Sequence, residues 1–307
     1  MTKFFINILI LFLLLLLVGE IVVRLTHAVS DIPERTIDEY GIQKYNPNQY
    51  GYWKGGEHNW IINRLGWPGE LPKSFDNLIL IVGDSFIENF MNPNECHQSA
   101  FLKRNLPNYN FLEAARSGVS LIEAMEISKH FDSLQPIKTL IYVNDGDFYE
   151  SVTEIKSMKD ITQLDLKTKK IRYGEMKAPL LKKALYNWKL MYYFYNRFYA
   201  DINGNTETEP QNPIKNVTDG YLKDKTEIIQ LLEFIKNNYD TDNKILVFNP
   251  NSDPRIIELV NEMNLNAIIL NSEGDDSWTF TYDSHWTCYG HECAARGVSE
   301  KLVDVLN

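Results

Sequence analysis

Leu78-Ile79-Leu80-Ile81-Val82-Gly83-Asp84-Ser85 is the stretch that decides the fold. Its first five residues are aliphatic or β-branched with no polar alternation, the pattern of a strand buried on both faces of a parallel sheet. Gly83 ends the run, and Ser85 follows at the carboxyl end of the predicted strand. Ligands of open parallel sheets bind at that end, near a topological switch point. Ser85 is therefore expected at the rim, close to the start of a helix, with its hydroxyl presented and its N–H able to face an anion.

Outward from this run, similar units recur. Asn110-Phe111-Leu112 reads as a weak strand and Leu121–His130 as a helix. Lys138–Val143 is a second strong strand. Lys244–Phe248 is a third, preceded by an amphipathic helix over Glu227–Lys236. Asn266–Leu270 is a fourth, preceded by a helix over Arg255–Met263, and a helix from about Gly290 to Leu306 closes the chain. Strands alternating with helices imply parallel pairing through right-handed crossovers, hence an α/β fold.

Two stretches depart from this rhythm. Residues 29–76 are rich in Tyr, Trp, Gly and Asn, with Trp60-Ile61-Ile62 as a short strand before the turn signals of Gly66-Trp67-Pro68-Gly69. Residues 160–174 alternate around Lys167-Thr168-Lys169-Lys170 and suggest a hairpin. Residues 178–200 read as a helix whose aromatics (Trp188, Tyr192, Tyr193, Phe194, Tyr195, Phe198, Tyr199) predict core packing. Residues 201–220 are polar and read as a loop. The expected division is an N-terminus and anchor over 1–28, a lead-in over 29–76, and a main domain over 77–307 with an insertion at about 151–220.

Phe4–Val23 is an apolar run whose one charge is Glu20, long enough to cross a ~30 Å hydrocarbon core as a helix. An uncleaved anchor is the reading taken. A cleaved signal is the alternative, with Thr26-His27-Ala28 as a weak cleavage site. Lys3 precedes the run and Asp31, Glu34, Asp38 and Glu39 follow it, so the positive-inside rule leaves the N-terminus cytoplasmic and exports the rest. Elsewhere, 31 Lys+Arg against 41 Asp+Glu give a net charge of −10, which argues against a duplex nucleic-acid binder. Three cysteines without a Cys-x-x-Cys pair suggest neither a disulfide scaffold nor a zinc site. With no Gly-x-x-x-x-Gly-Lys loop and no Gly-x-Gly-x-x-Gly, neither a metal nor a nucleotide cofactor is expected.

Three further segments fall at strand ends or before the last helix. Ser117-Gly118 follows the Asn110 strand, and a Gly there lets a backbone N–H approach a substrate; an ordinary turn is the alternative. Asn144-Asp145 follows the Lys138 strand, where an Asn amide can donate to an oxyanion or merely build an Asn-Asp-Gly turn. Asp283-Ser284-His285-Trp286 is placed on the loop before the last helix. Of the six histidines, His285 alone has a carboxylate two residues away in such a loop, the pairing a general base for serine requires. His291 is expected to be structural, and His97 and His130 are placed on helices without a nameable partner.

Taken in order, these blocks resemble the SGNH hydrolases, also called the GDSL family. Ser85, Gly118, Asn144 and His285 fall on that family's four named residues, with Asp283 as the acid of the triad. The resemblance spans about residues 60–306, through four short blocks. It implies a three-layer, flavodoxin-like sandwich and ester hydrolysis or acyl transfer. Ser85 would be the nucleophile, and the Ser85 N–H, Gly118 N–H and Asn144 amide the oxyanion hole. Two departures stand out: Tyr142 replaces the Gly of Gly-x-Asn-Asp, and Asp-x-His-Trp replaces Asp-x-x-His-Pro. The shorter last block is similar to that of membrane-associated, polysaccharide-modifying members, including the alginate acetylation proteins. Asn63-Arg64-Leu65-Gly66 also resembles the Asn-x-x-Gly lead-in of membrane-anchored bacterial members. With the anchor, this implies an acylated envelope glycan or lipid as substrate. The alternative is a silent envelope scaffold keeping the fold. If Ser85 and His285 meet, a Cys96–Cys288 bridge becomes available in an oxidising compartment, against free buried thiols, while Cys288–Cys293 is a poorer pair.

Overall fold

The Leu78 run is a strand because every one of its side chains is buried, alternately against two different helical layers. In the computed structural model, which describes residues 1–199, 222 and 224–306, the apolar N-terminal segment is helix α1 (Thr2–Leu25). Four short strands follow as two antiparallel pairs: β1 (Arg35–Ile37) with β2 (Gln43–Tyr45), and β3 (Gln49–Tyr52) with β4 (Asn59–Ile62). The Leu78 strand is β5 (Leu78–Gly83), leading into the short helix α2 (Ser85–Glu88) and then α3 (Gln98–Asn105). Next come β6 (Asn110–Ala115), α4 (Leu121–His130), β7 (Lys138–Val143) and α5 (Asp145–Glu150).

The hairpin of the insertion is β8 (Gln163–Asp165) with β9 (Lys170–Arg172), followed by α6 (Pro179–Asn187) and α7 (Lys189–Phe194). The last part runs α8 (Lys225–Asn238), β10 (Lys244–Phe248), α9 (Pro254–Glu262), β11 (Ala267–Ile269), the β12 (Thr279–Phe280)–β13 (Asp283–Trp286) hairpin and α10 (Cys288–Leu306). The expected loop over 201–220 lies outside the described residues.

The central sheet has five strands in the order β11-β10-β7-β5-β6, all parallel. Counted along the chain this is 2-1-3-4-5, the flavodoxin-like order, with its switch point between β5 and β7. Leu78, Leu80 and Val82 point into one layer with α4, α8 and α9, while Ile79 and Ile81 point into the other with α2, α3 and α10. The α/β sandwich of three layers is thus observed. Cys96 and Cys288 form a disulfide, and Cys293 is a buried free thiol.

Three expectations need correction. The aromatics of 178–200 are not core residues: the stretch breaks into α6, α7 and a π turn over 195–199, and Trp188, Tyr193, Phe194 and Phe198 are exposed. The aromatic count told of burial, but the sheet faces were already filled by α4, α8, α9 and α10. Asp283 and His285 stand on strand β13 rather than a loop, because Trp286 is drawn into the core and pairs with Thr279. His97 caps α3 and is bonded to the buried carboxylate of Glu113, which also accepts from Ser99 N–H at 2.6 Å.

Candidate active site

Gly83 is required by space. A Cβ there would lie 2.6 Å from Ile87 Cγ1, so only glycine lets α2 turn back this closely on the strand end. Asp84 caps α2, accepting from Phe86 N–H at 3.0 Å, and Ser85 opens the helix at the carboxyl rim of β5. From the other side the β12–β13 hairpin brings in His285, whose Nε2 lies 2.8 Å from Ser85 Oγ. Its Nδ1–H donates to Asp283 Oδ1 through a short hydrogen bond, and the same oxygen accepts the His285 backbone N–H at 2.8 Å. That carboxylate selects the tautomer with the proton on Nδ1, leaving Nε2 to accept from the serine. The ring centroid of Phe86 stands 4.9 Å from that of His285.

Covalent and polar ties hold the serine helix to the histidine strand. Asn89 Nδ2 donates to Cys96 O at 3.0 Å. Asn92 Nδ2 donates to Asn89 Oδ1 at 2.6 Å and to Trp286 O at 2.9 Å. The Cys96–Cys288 disulfide closes the same junction. The two departures from the family pattern meet here. Tyr142 and Trp286 are both buried, their rings 6.3 Å apart and edge to face, and Tyr142 OH donates to Gln98 at 3.0 Å. Tyr142 therefore leaves the rim and fills the layer beneath it. Gln98 Nε2 continues the chain to His291 O at 2.8 Å, and His291 is fully buried, its pKa held well below the ordinary value by desolvation. It is structural.

Gly118 takes φ +78°, a left-handed conformation suited to glycine. The turn before it is clamped from both sides. Ser117 N–H donates to Glu88 Oε1 at 2.7 Å, while Ser117 O accepts from Arg116 Nη1 at 2.7 Å. Arg116 is buried, pairs with Glu123 at 2.6 Å, and reaches Gln43 O of β2 at 3.3 Å. Tyr45 OH donates to the same Glu88 oxygen through a short bond, and Arg35 lies 4.0 Å from it. The lead-in strands are thus bonded to the turn that presents Gly118. Sequence reasoning missed Glu88 and Arg116; the available signal was a pair of charged residues at positions the fold must bury. Replacing Glu88 by Ala should lower kcat about tenfold or more at little change in KM, because a hydrogen bond to a charged group and the aim of an oxyanion donor are lost together. Glu88→Gln, which keeps an acceptor, should lose less, and steady-state kinetics on a short-chain ester would show the difference.

Asn144 stands at the end of β7, across the switch point from Ser85. Its Nδ2 donates to Asp84 Oδ2 at 2.7 Å and its Oδ1 accepts from Gly146 N–H at 2.7 Å, capping α5. One amide proton is therefore committed to Asp84, and the other is the one that can face an oxyanion. Asp147 Oδ2 accepts the Asn144 backbone N–H at 2.8 Å. Burial pushes the Asp84 carboxyl up to about 6, and raises Asp147 well above the usual range, with repulsion from Asp84 adding to it.

A carboxyl whose native pKa is raised holds its proton after the unfolded chain has lost it, so stability falls as pH rises from about 4 through the native pKa. Asp147→Asn keeps an acceptor and removes this cost. The variant should match wild type near pH 4 and be the more stable of the two at pH 8, read from thermal unfolding at both. A gap that is constant with pH would refute it.

No family model matches the sequence, and no curated protein matches it. Solved structures similar to it include the psychrotrophic esterase EstA from a Pseudoalteromonas species, at 12% identity, covering 76% of this chain and all of that one, TM-score 0.40. Another is a member of the lipolytic protein G-D-S-L family from Veillonella parvula, at 12% identity over 74% of this chain and 98% of that one, TM-score 0.37. TesA is a third, at 11% identity over 73% and 97%, TM-score 0.37. At such identities, what the site does is read from this chain's own side chains. Among the described residues no group of three His, Cys, Asp or Glu side chains is placed to hold a metal ion.

Proposed function

We propose that this chain is a serine-dependent, SGNH-type esterase or acyltransferase, held at a membrane by α1 and facing outward. The observation that carries the reading is the relay Asp283–His285–Ser85, with Nε2 2.8 Å from the serine oxygen. His285 takes the Ser85 proton as Oγ attacks an ester carbonyl. The Ser85 and Gly118 N–H groups and the free proton of the Asn144 amide receive the negative charge that develops. The tetrahedral adduct collapses to an acyl-enzyme, and protonated His285 returns its proton to the leaving alcohol. Water or an acceptor hydroxyl then takes the acyl group by the reverse path.

Hydrolysis and transfer use the same residues and differ only in what reaches the acyl-enzyme. α1 is long and apolar enough to cross a membrane and leaves nearly all of its side chains outside the packed protein, which favours an acylated envelope glycan or lipid as substrate. The test is labelling of the full chain with a fluorophosphonate probe. A single adduct that maps to Ser85 and disappears in Ser85→Ala is expected, and an adduct elsewhere overturns the reading. Acetate release from candidate glycans then separates substrates.

A further inference from the structure

Glu20 is the one charge inside the apolar run, and the structure gives it a use. Its carboxylate accepts the backbone N–H groups of Lys189 at 3.1 Å and Leu190 at 2.7 Å, and the Arg24 guanidinium at 2.7 Å. Arg24 Nη2 donates onward to Asn187 O at 2.6 Å. Gly19 lets Leu190 close on α1, since a Cβ there would lie 3.0 Å from Leu190 Cδ2, and Val23, Val29 and Leu190 bury one another. α6 and α7 are therefore fastened to the last turns of the apolar helix.

The depth of that fastening is set by helix geometry. Gly19 is 25 − 19 = 6 residues before the end of α1 at Leu25, about 9 Å along the axis. A helix from Thr2 to Leu25 is about 36 Å long, only a few Å more than a ~30 Å hydrocarbon core. Centred on a core of that thickness, α1 would place Gly19, and Leu190 against it, within about 6 Å of the hydrocarbon edge. Beside it α6, α7 and the turn that follows leave large apolar side chains exposed: Leu180 is 82% exposed, Leu181 71%, Phe198 57% and Trp188 45%. Lys182 and Arg197 are interspersed with these side chains and are exposed as well. Leucine and aromatic side chains mixed with cations are the composition of a helix that lies in the membrane interface, and Trp favours that layer.

We infer that residues 179–198 form an interfacial element seated in the bilayer leaflet at the C-terminal end of α1, with a phospholipid surface as its partner. The inference rests on the reading of α1 as a membrane span. It accounts for a carboxylate within the span, for aromatics left out of the core, and for the ion pairs Lys189–Asp31 at 2.6 Å and Lys183–Glu34 at 3.1 Å that tie the element to the lead-in. A helix and a side plate together give the outer domain two attachments to one leaflet, where α1 alone leaves it free to swivel.

The test uses the full chain in vesicles of phosphatidylcholine and phosphatidylglycerol containing a phospholipid with a diazirine on its acyl chain. After photolysis, peptide mapping should find adducts on α1 and also on Leu180, Leu181, Trp188 or Phe198. The triple variant Leu180→Ser, Leu181→Ser, Phe198→Ser should lose the second set several-fold while keeping the first. Adducts confined to α1 overturn the interfacial element and leave the span standing. Adducts on neither overturn the span itself and the inference with it.

Discussion

Ser85→Ala should abolish turnover of a short-chain ester such as p-nitrophenyl acetate while the protein stays folded. Ser85 Oγ lies within hydrogen-bond reach of His285 Nε2 at 2.8 Å and fills no core, so the substitution removes one hydroxyl at a rim and creates no buried cavity. Loss of a triad nucleophile takes roughly six orders of magnitude from kcat, and what remains, on the order of 10³ over water, comes from the oxyanion donors and binding. The readout is kcat beside the unfolding midpoint of each protein. An unchanged midpoint with lost turnover supports the relay. Unchanged turnover in a verified Ser85→Ala protein removes it, whatever the fold.

Much of this arrangement was legible in the sequence, because it depends on local patterns. A two-faced apolar run, a glycine and a serine specify a buried strand, a close turn and a nucleophile without reference to the rest of the chain. The same holds for β7, where a strand end and Asn144 follow each other directly. Asp283 and His285 were legible as a pair two residues apart, though their strand was not, since β13 owes its existence to Trp286 being buried against Tyr142 and Trp278. Glu88 was not legible as the holder of Ser117 N–H, nor Asp84 as the acceptor for Asn144, because each of those bonds joins residues 29 or 60 positions apart. The exposure of the aromatics on and around α7 was not legible for a related reason. Aromatic content measures a need for an apolar surrounding, and only the packing tells whether a protein core supplies it.

His285→Gln and Asp283→Asn test how the serine is activated, and they should fail in different ways. His285→Gln removes the base and should cost kcat about as much as losing the serine, since members of a triad act as a unit. Asp283→Asn leaves the ring in place but offers an amide where a carboxylate fixed the tautomer, and should cost roughly four orders of magnitude. Only the neutral ring can accept from Ser85, so an acid-side limb in kcat/KM should depend on His285. Asp84, its carboxyl pushed up to about 6 by burial, stands next to the nucleophile and brings an ionisation of its own. Its ionisation places a negative charge beside the nucleophile and so adds a step near pH 6 to the profile. Asp84→Asn should remove that step. Profiles of kcat/KM from pH 4 to 9 for wild type, Asp84→Asn and His285→Gln check this. An acidic limb that survives His285→Gln unchanged would place the general base on another residue.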